Sequence, residues 1–294
     1  MKHLLSIFML CTTIGWGQMI VNPKGEVLEN TPFFNAEFVK SKNVRSIRGN
    51  YATKFDMDII RPNEDAYVYE FDRLGQMVRQ YKVHLGDTLI NTYQYDYKGN
   101  ITVHRESNKF GYHEYRYKYD QLNRLTEMEL RRDKVSAYNK LSFELDQTKI
   151  VSTEKYEYIA LDGKNYKRMC YNSAGRIYRI EFYYFDKKER LYKKESALHN
   201  GRNRMEVLYF YDKMNRIVEL KTISKSTNPI ITQKKFEYGE NGELLSKKVF
   251  RDEKIISEEQ LVYHEDTKLL KAIISRGAEH NKLTILKFDK YRKY

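Results

Sequence analysis

Tyr69-Glu70-Phe71-Asp72-Arg73-Leu74-Gly75-Gln76-Met77, Tyr93-Gln94-Tyr95-Asp96-Tyr97-Lys98-Gly99-Asn100-Ile101 and Tyr117-Lys118-Tyr119-Asp120-Gln121-Leu122-Asn123-Arg124-Leu125 are three copies of one phrase. Further copies are Tyr183-Tyr184-Phe185-Asp186 with Arg190-Leu191, and Tyr209-Phe210-Tyr211-Asp212 with Asn215-Arg216-Ile217. Weaker ones are Phe143-Glu144-Leu145-Asp146, Tyr171-Asn172 with Gly175-Arg176-Ile177, Phe236-Glu237-Tyr238-Gly239, Tyr263-His264 and Phe288-Asp289. Counted from Asp72, the intervals between Asp-equivalent positions are 24, 24, 26, 26, 14, 26, 27, 25 and 25 residues. Self-similarity at such a period marks a repeat architecture, each copy one supersecondary unit.

The phrase has a direct physical reading. Aromatics at alternate positions put their rings on one face of a strand, while Glu70, Gln94, Lys118 and Glu237 point to the other. The Asp accepts a hydrogen bond from the backbone two residues on, forming an Asx-turn, and Gly or Asn three positions later tolerates the left-handed backbone that closes a hairpin. The chain then returns as a strand starting with Arg-Leu or its equivalent. Each repeat is read as a hairpin, and the fold class as all-β: an antiparallel β-hairpin repeat meander in a curled or spiral single sheet. Nine or ten such hairpins, at about 4.8 Å per strand, would span about 90 Å if flat, so the sheet must curl to hide its aromatic face or pack that face on another copy. The curled form packed on its own concave side is expected. No stretch sustains a helical apolar period.

These residues resemble the RHS or YD-repeat family, whose motif is Tyr-x-Tyr-Asp-x-x-Gly-Arg-Leu. The resemblance runs from about Tyr67 to the C-terminus, with about five good copies and as many degenerate ones. It implies a β-hairpin shell or scaffold, the function of large family members residing in other parts of their chains. The Asp-Pro-x-Gly pair of the family's self-cleaving core is not found, nor is a toxin domain.

The organisation expected is a signal peptide over 1–17, an N-terminal capping region over 18–65 and a YD-type repeat array over 66–294. Lys2 and His3, the apolar run Leu4 to Leu10, and Gly15 and Gly17 follow signal-peptide order. Cleavage would lower the formal charge of +13 by one and remove Cys11, leaving Cys170 without a disulfide partner. Cys170 reads as a small buried hydrophobe. Residues 18–65 carry Pro23, Pro32 and Pro62 with poor periodicity, and a degenerate cap protecting a terminal edge is the reading.

The interval of 14 between Asn172 and Asp186 leaves room for one strand. Marked turns at Asp72, Asp96, Asp120, Asp146 and Asn172 are therefore expected on one edge, and those at Asp186, Asp212, Gly239, His264 and Asp289 on the other, with Asp162-Gly163 supplying the opposite turn.

Chemistry-bearing constellations are missing from the sequence, so the site reading is empty: no catalytic, cofactor-binding or metal residues, no cofactor, and no enzyme. No two of His3, His84, His104, His113, His199, His264 and His280 are spaced i, i+2 or i+4. The repeated Asp residues serve turns, since an active site is a single constellation. The basic runs Lys187-Lys188-Glu189-Arg190, Lys193-Lys194, Arg131-Arg132, Lys234-Lys235 and Lys247-Lys248 are read as cations on exposed strand faces and turns. Aromatics interleaved with these cations also suit single-stranded nucleic acid. Two function classes follow. One is a non-catalytic secreted or envelope-associated scaffold (periplasm, outer surface or outside) that binds an anionic polysaccharide or a protein partner through the outer face of the sheet. The other is an effector or enzyme fragment with an unrecognised active site. Export argues against nucleic acid, no membrane helix follows the leader, and the oligomeric state is open.

Overall fold

The computed structural model describes residues 17–29, 32–84, 87–108, 111–135, 145–226, 228–277 and 281–294. Apart from Gly17, the signal-peptide reading lies outside the described residues, as do Phe143 and Glu144. One short helix, α1 (Ala36–Ser41), precedes the strands. These are β1 (Val44–Phe55), β2 (Arg61–Phe71), β3 (Met77–His84), β4 (Asp87–Tyr95), β5 (Ile101–Asn108), β6 (Gly111–Tyr119), β7 (Leu125–Val135), β8 (Leu145–Ala160) and β9 (Tyr166–Tyr171). The second half holds β10 (Ile177–Phe185), β11 (Leu191–Leu198), β12 (Arg204–Tyr211), β13 (Ile217–Lys225), β14 (Ile231–Tyr238), β15 (Leu244–Arg251), β16 (Lys254–Tyr263), β17 (Leu270–Gly277) and β18 (Lys282–Lys293).

Each strand pairs antiparallel with its sequence neighbours, and β1 pairs with both β2 and β18. The last contact closes the sheet, with Gly49 opposite Phe288 and Asn50 opposite Lys287. The expected curled meander is thus an 18-stranded closed barrel, which leaves no sheet edge to protect.

The Asp turns form as read. Oδ1 of Asp72 accepts from Leu74 N and Gln76 N, that of Asp120 from Leu122 N and Arg124 N, and that of Asp212 from Met214 N and Arg216 N. The third residue on is left-handed in each, as at Gly75 (φ 80°), Asn123 (φ 60°) and Asn215 (φ 62°). Oδ2 of Asp120, Asp186 and Asp212 takes the Arg four residues later at 2.7, 2.8 and 2.7 Å. That Arg then lies over a tyrosine of the following hairpin: Arg124 on Tyr158, Arg190 on Tyr211, Arg216 on Tyr238.

Beside these turns the returning strand is bulged, with register shifts at Phe71, Tyr95, Tyr119, Phe185, Tyr211, Tyr238 and Tyr263. A bulge leaves a ladder group unpaired. The tyrosine of the next hairpin supplies the partner: Tyr95 donates to Met77 O, Tyr119 to Ile101 O, Tyr211 to Leu191 O, Tyr238 to Ile217 O and Tyr263 to Leu244 O. The tyrosine richness is therefore a device for satisfying bulged backbone from inside the barrel.

The expected switch of edges does not occur. The turns at Asp72, Asp96, Asp120, Asp162, Asp186, Asp212, Gly239 and His264 each follow an even-numbered strand and share one rim, while the Asn172 turn follows β9 at the opposite end. Asp146 lies within β8 and Asp289 within β18, so neither makes a turn. The marked turn between Asp120 and Asp186 is Asp162, and its interval is stretched because β7 and β8 run 11 and 16 residues. Asn172 misled the count because its turn is chemically the same, Oδ1 accepting from Ala174 N and Arg176 N.

An 18-stranded barrel is too wide to be filled by its own side chains. Residues 18–65, read as a cap, divide at Asn43. The part beyond is β1 and the start of β2; the part before is a plug inside the barrel. Its two arms meet at Ile20 and Phe34, and Met19, Ile20, Val27, Phe33, Phe34, Phe38 and Val39 are all buried. They join inward residues of β1–β4 and β13–β18, among them Ile47, Tyr69, Phe71, Leu220, Phe236, Leu244, Leu270 and Phe288. Polar fastenings add to this. Lys247 donates to Val27 O at 3.0 Å and, like Lys234, pairs with Glu29, while Asn22 donates to the Tyr238 hydroxyl. α1, capped by Asn35, sits on the Asp72 turn so closely that a Cβ on Gly75 would lie 2.0 Å from Ala36 O.

Candidate functional site in the barrel lumen

The plug packs against one side of the barrel. Against the other side, chiefly β5–β13, remains a cavity of about 610 Å³, bounded on the plug by Pro23, Lys24, Glu26 and Pro32. Pro23, Lys24 and Glu26 are exposed although they lie within the barrel wall. The cavity reaches the Asp-turn rim at Asn123 and Arg124.

Strand alternation builds the wall. In β9 the inward phase is Tyr166, Arg168 and Cys170, and in β10 it is Glu181, Tyr183 and Phe185. Glu181 sits at the centre of this wall with its side chain 4% exposed. Arg168 pairs with it at 2.5 Å, Arg179 at 3.2 Å and Lys194 at 3.3 Å, and the Tyr183 hydroxyl donates to it at 2.7 Å. Burial works to raise its carboxyl, but Arg168 and Lys194 outweigh that and hold it below the usual range. Tyr166 stacks on Tyr183 with ring centres 4.6 Å apart, and Arg168 lies over the rings of Tyr156 and Tyr183.

At the β4–β6 end of the wall His104 is sandwiched between Tyr93 and Tyr115, its centre 4.7 and 5.8 Å from theirs. Burial pushes its imidazole down to about 4, so it stays neutral at ordinary pH. The Tyr93 hydroxyl, buried beside the cavity, has no hydrogen-bond partner among the described residues. Cys170 is fully buried, and burial pushes its thiol up, away from the thiolate a nucleophile needs. No cluster of metal-ligating side chains occurs among the described residues.

The basic doublets are a partial correction. Strand alternation sends one member in and the other out, so Lys194, Lys234 and Lys247 face the lumen, whereas Lys193, Lys235 and Lys248 face outward. Reading the doublets only as solvated surface therefore missed Lys194, and Arg168 and Glu181, outside any basic run, were not singled out at all. The signal was available: Arg168 and Glu181 occupy the phase that aromatics hold elsewhere in their strands.

The outer wall carries its own charge pairs. They include Glu70 with Arg79, Glu114 with Arg105 and Arg116, Glu129 with Arg131, Lys193 with Glu195, and Lys248 with Glu237 and Glu258. A lipid-facing barrel wall needs a continuous apolar band instead. Among the described residues no helix is long and apolar enough to cross a membrane.

No family model matches the chain, and no curated protein is significantly similar to it. Solved structures similar to it include a porin-like protein from Bacteroides uniformis, at 9% identity over 84% of this chain and 98% of that one, with a TM-score of 0.38. A porin-like protein from Bacteroides vulgatus matches at 10% identity over 82% of this chain and 96% of that one, TM-score 0.33. The TcdB2-TccC3-Cdc42 structure matches at 12% identity over 73% of this chain but 14% of that one, TM-score 0.24. Likenesses at these scores carry no argument, and the functional reading rests on the residues.

Proposed function

We propose that the protein is a non-catalytic binding barrel of the cell envelope or exterior, built from YD-type hairpins, that takes its ligand into the lumen. The observation that carries this reading is the cavity: it reaches one rim and is walled by tyrosines and cations whose charge the strands could have directed outward. The outer charge pairs support a wall that stands in water rather than lipid. The non-catalytic part is supported by the employment of the candidate groups elsewhere. The repeated aspartates hold turns, His104 is stacked and neutral, and Cys170 is sealed. Placement outside the cytoplasm rests on the leader pattern of residues 1–17.

The test is a glycan and peptide binding screen of the purified protein beside Leu125→Trp and Leu191→Trp, both of which grow a side chain into the cavity. Any ligand found should be lost in both. Retention by these variants, with loss on substitution of outer-face charges, would contradict the reading.

A further inference from the structure

The lumen holds more positive charge than it neutralises. On the wall, Arg168, Arg179 and Lys194 share one carboxylate, Glu181. On the plug, Lys24 is matched by Glu26 at most, and Arg124 is committed to Asp120. Glu154, on the same strand face as Tyr156 and bonded by the Tyr156 and Tyr178 hydroxyls, is a second carboxylate of this wall. Among the described residues one of the three wall cations is therefore uncompensated in a half-buried space, where charge is costly to leave unpaired and attracts an anion.

The remainder of the wall offers hydroxyls. A tyrosine hydroxyl both donates and accepts, which matches a ligand whose own groups do both. At the second aromatic position those hydroxyls are spent on bulge carbonyls, as at Tyr119 and Tyr211. At the first position they are not: Tyr183 gives its own to Glu181, and the Tyr93 hydroxyl is buried without a partner among the described residues. Among the described residues no helix terminus lines the cavity, so the backbone cradle that a bare phosphate favours is missing.

Resting on the lumen reading above, we infer that the cavity binds a short acidic saccharide, its carboxylate on Lys194 and Arg168 and its hydroxyls on the tyrosine wall. The carboxylate joins Glu181 and Glu154 in compensating the three cations. The sugar hydroxyls give Tyr93 the partner that the described residues do not.

The experiment is titration calorimetry of the whole protein with a galacturonic acid trisaccharide, a neutral galactose trisaccharide and inorganic phosphate. The acidic trisaccharide should bind at least about ten-fold more tightly than either other probe, the difference of one charge-assisted contact. Lys194→Met and Lys194→Gln should each weaken it by about ten-fold, since Glu181 keeps Arg168 and Arg179. Lys193→Met, removing the same charge from the outer face one residue away, should leave it unchanged, and Leu191→Trp should abolish it. Equal binding of the neutral sugar or of phosphate, lost in Leu191→Trp, would overturn the acidic-saccharide assignment while the lumen reading stands. Acidic binding that survives Leu191→Trp would overturn both. Failure of all three probes to bind would overturn the assignment and leave the lumen reading to the wider screen.

Discussion

At the scale of single residues, the turn aspartates were legible in the sequence, because Asp with Gly or Asn three positions on fixes a local geometry without long-range help. Asp212→Ala removes two backbone contacts and the Arg216 clamp, and should cost about 1–3 kcal/mol in a denaturant titration. The tyrosine task was not legible, since it joins hydroxyls to bulge carbonyls about twenty residues away. Tyr263→Phe leaves Leu244 O without its donor and should cost about 1–2 kcal/mol by the same measurement. His104 makes a prediction in pH. Its imidazole titrates at about 4 when folded, against 6.5 for the free group, so on acidification the unfolded chain binds a proton first. Stability should be full above the upper value and fall between the two, by up to about 3 kcal/mol. Turn carboxylates act lower. The Arg190 side chain holds Asp186 below its ordinary value, so its contribution persists above the unfolded carboxylate range and is lost only as pH falls below it. Urea midpoints of His104→Gln should therefore be flat across the window in which the parent declines.

At the scale of elements, the alternating aromatics identified strands and hairpins, but nothing in the motif says which end of the barrel a turn occupies. Asp146 carries the sequence of a marked turn and lies in a strand, and Asn172 makes the marked turn at the other rim. The difference is set by the lengths of β7 and β8, which no local signal fixes. The α1 contact on the Asp72 turn was equally invisible, yet it yields a sharp comparison. Gly75 and Gly175 share a left-handed backbone, at φ 80° and 71°, but only Gly75 has backbone against its Cβ position, nothing lying within 4 Å at Gly175. Gly175→Ala should cost about 1 kcal/mol, the left-handed penalty alone. Gly75→Ala must also lift α1 and should cost more than about 3 kcal/mol, read from the difference in unfolding midpoints.

At the scale of the whole molecule, a curled sheet could be foreseen because an aromatic face must leave water, but closure could not. Closure depends on β1, which lies in the proline-bearing stretch that reads as a cap and finds β18 more than two hundred residues later. The plug was hidden for the same reason: Met19, Phe34 and Phe38 show no period, since they pack from an irregular segment and one short helix inside a wall rather than as strands of it. Closure and plug together create the lumen, and with it the candidate site, so the site was no more legible than they were. The direct test is oxidation of Asn50→Cys with Lys287→Cys, outward-facing positions opposite each other in the β1–β18 register. A closed barrel predicts rapid formation of an intramolecular disulfide and a monomer that migrates faster on a non-reducing gel. Disulfide-linked dimers, or free thiols at positions 50 and 287 after oxidation, would mean an open sheet and would contradict the account.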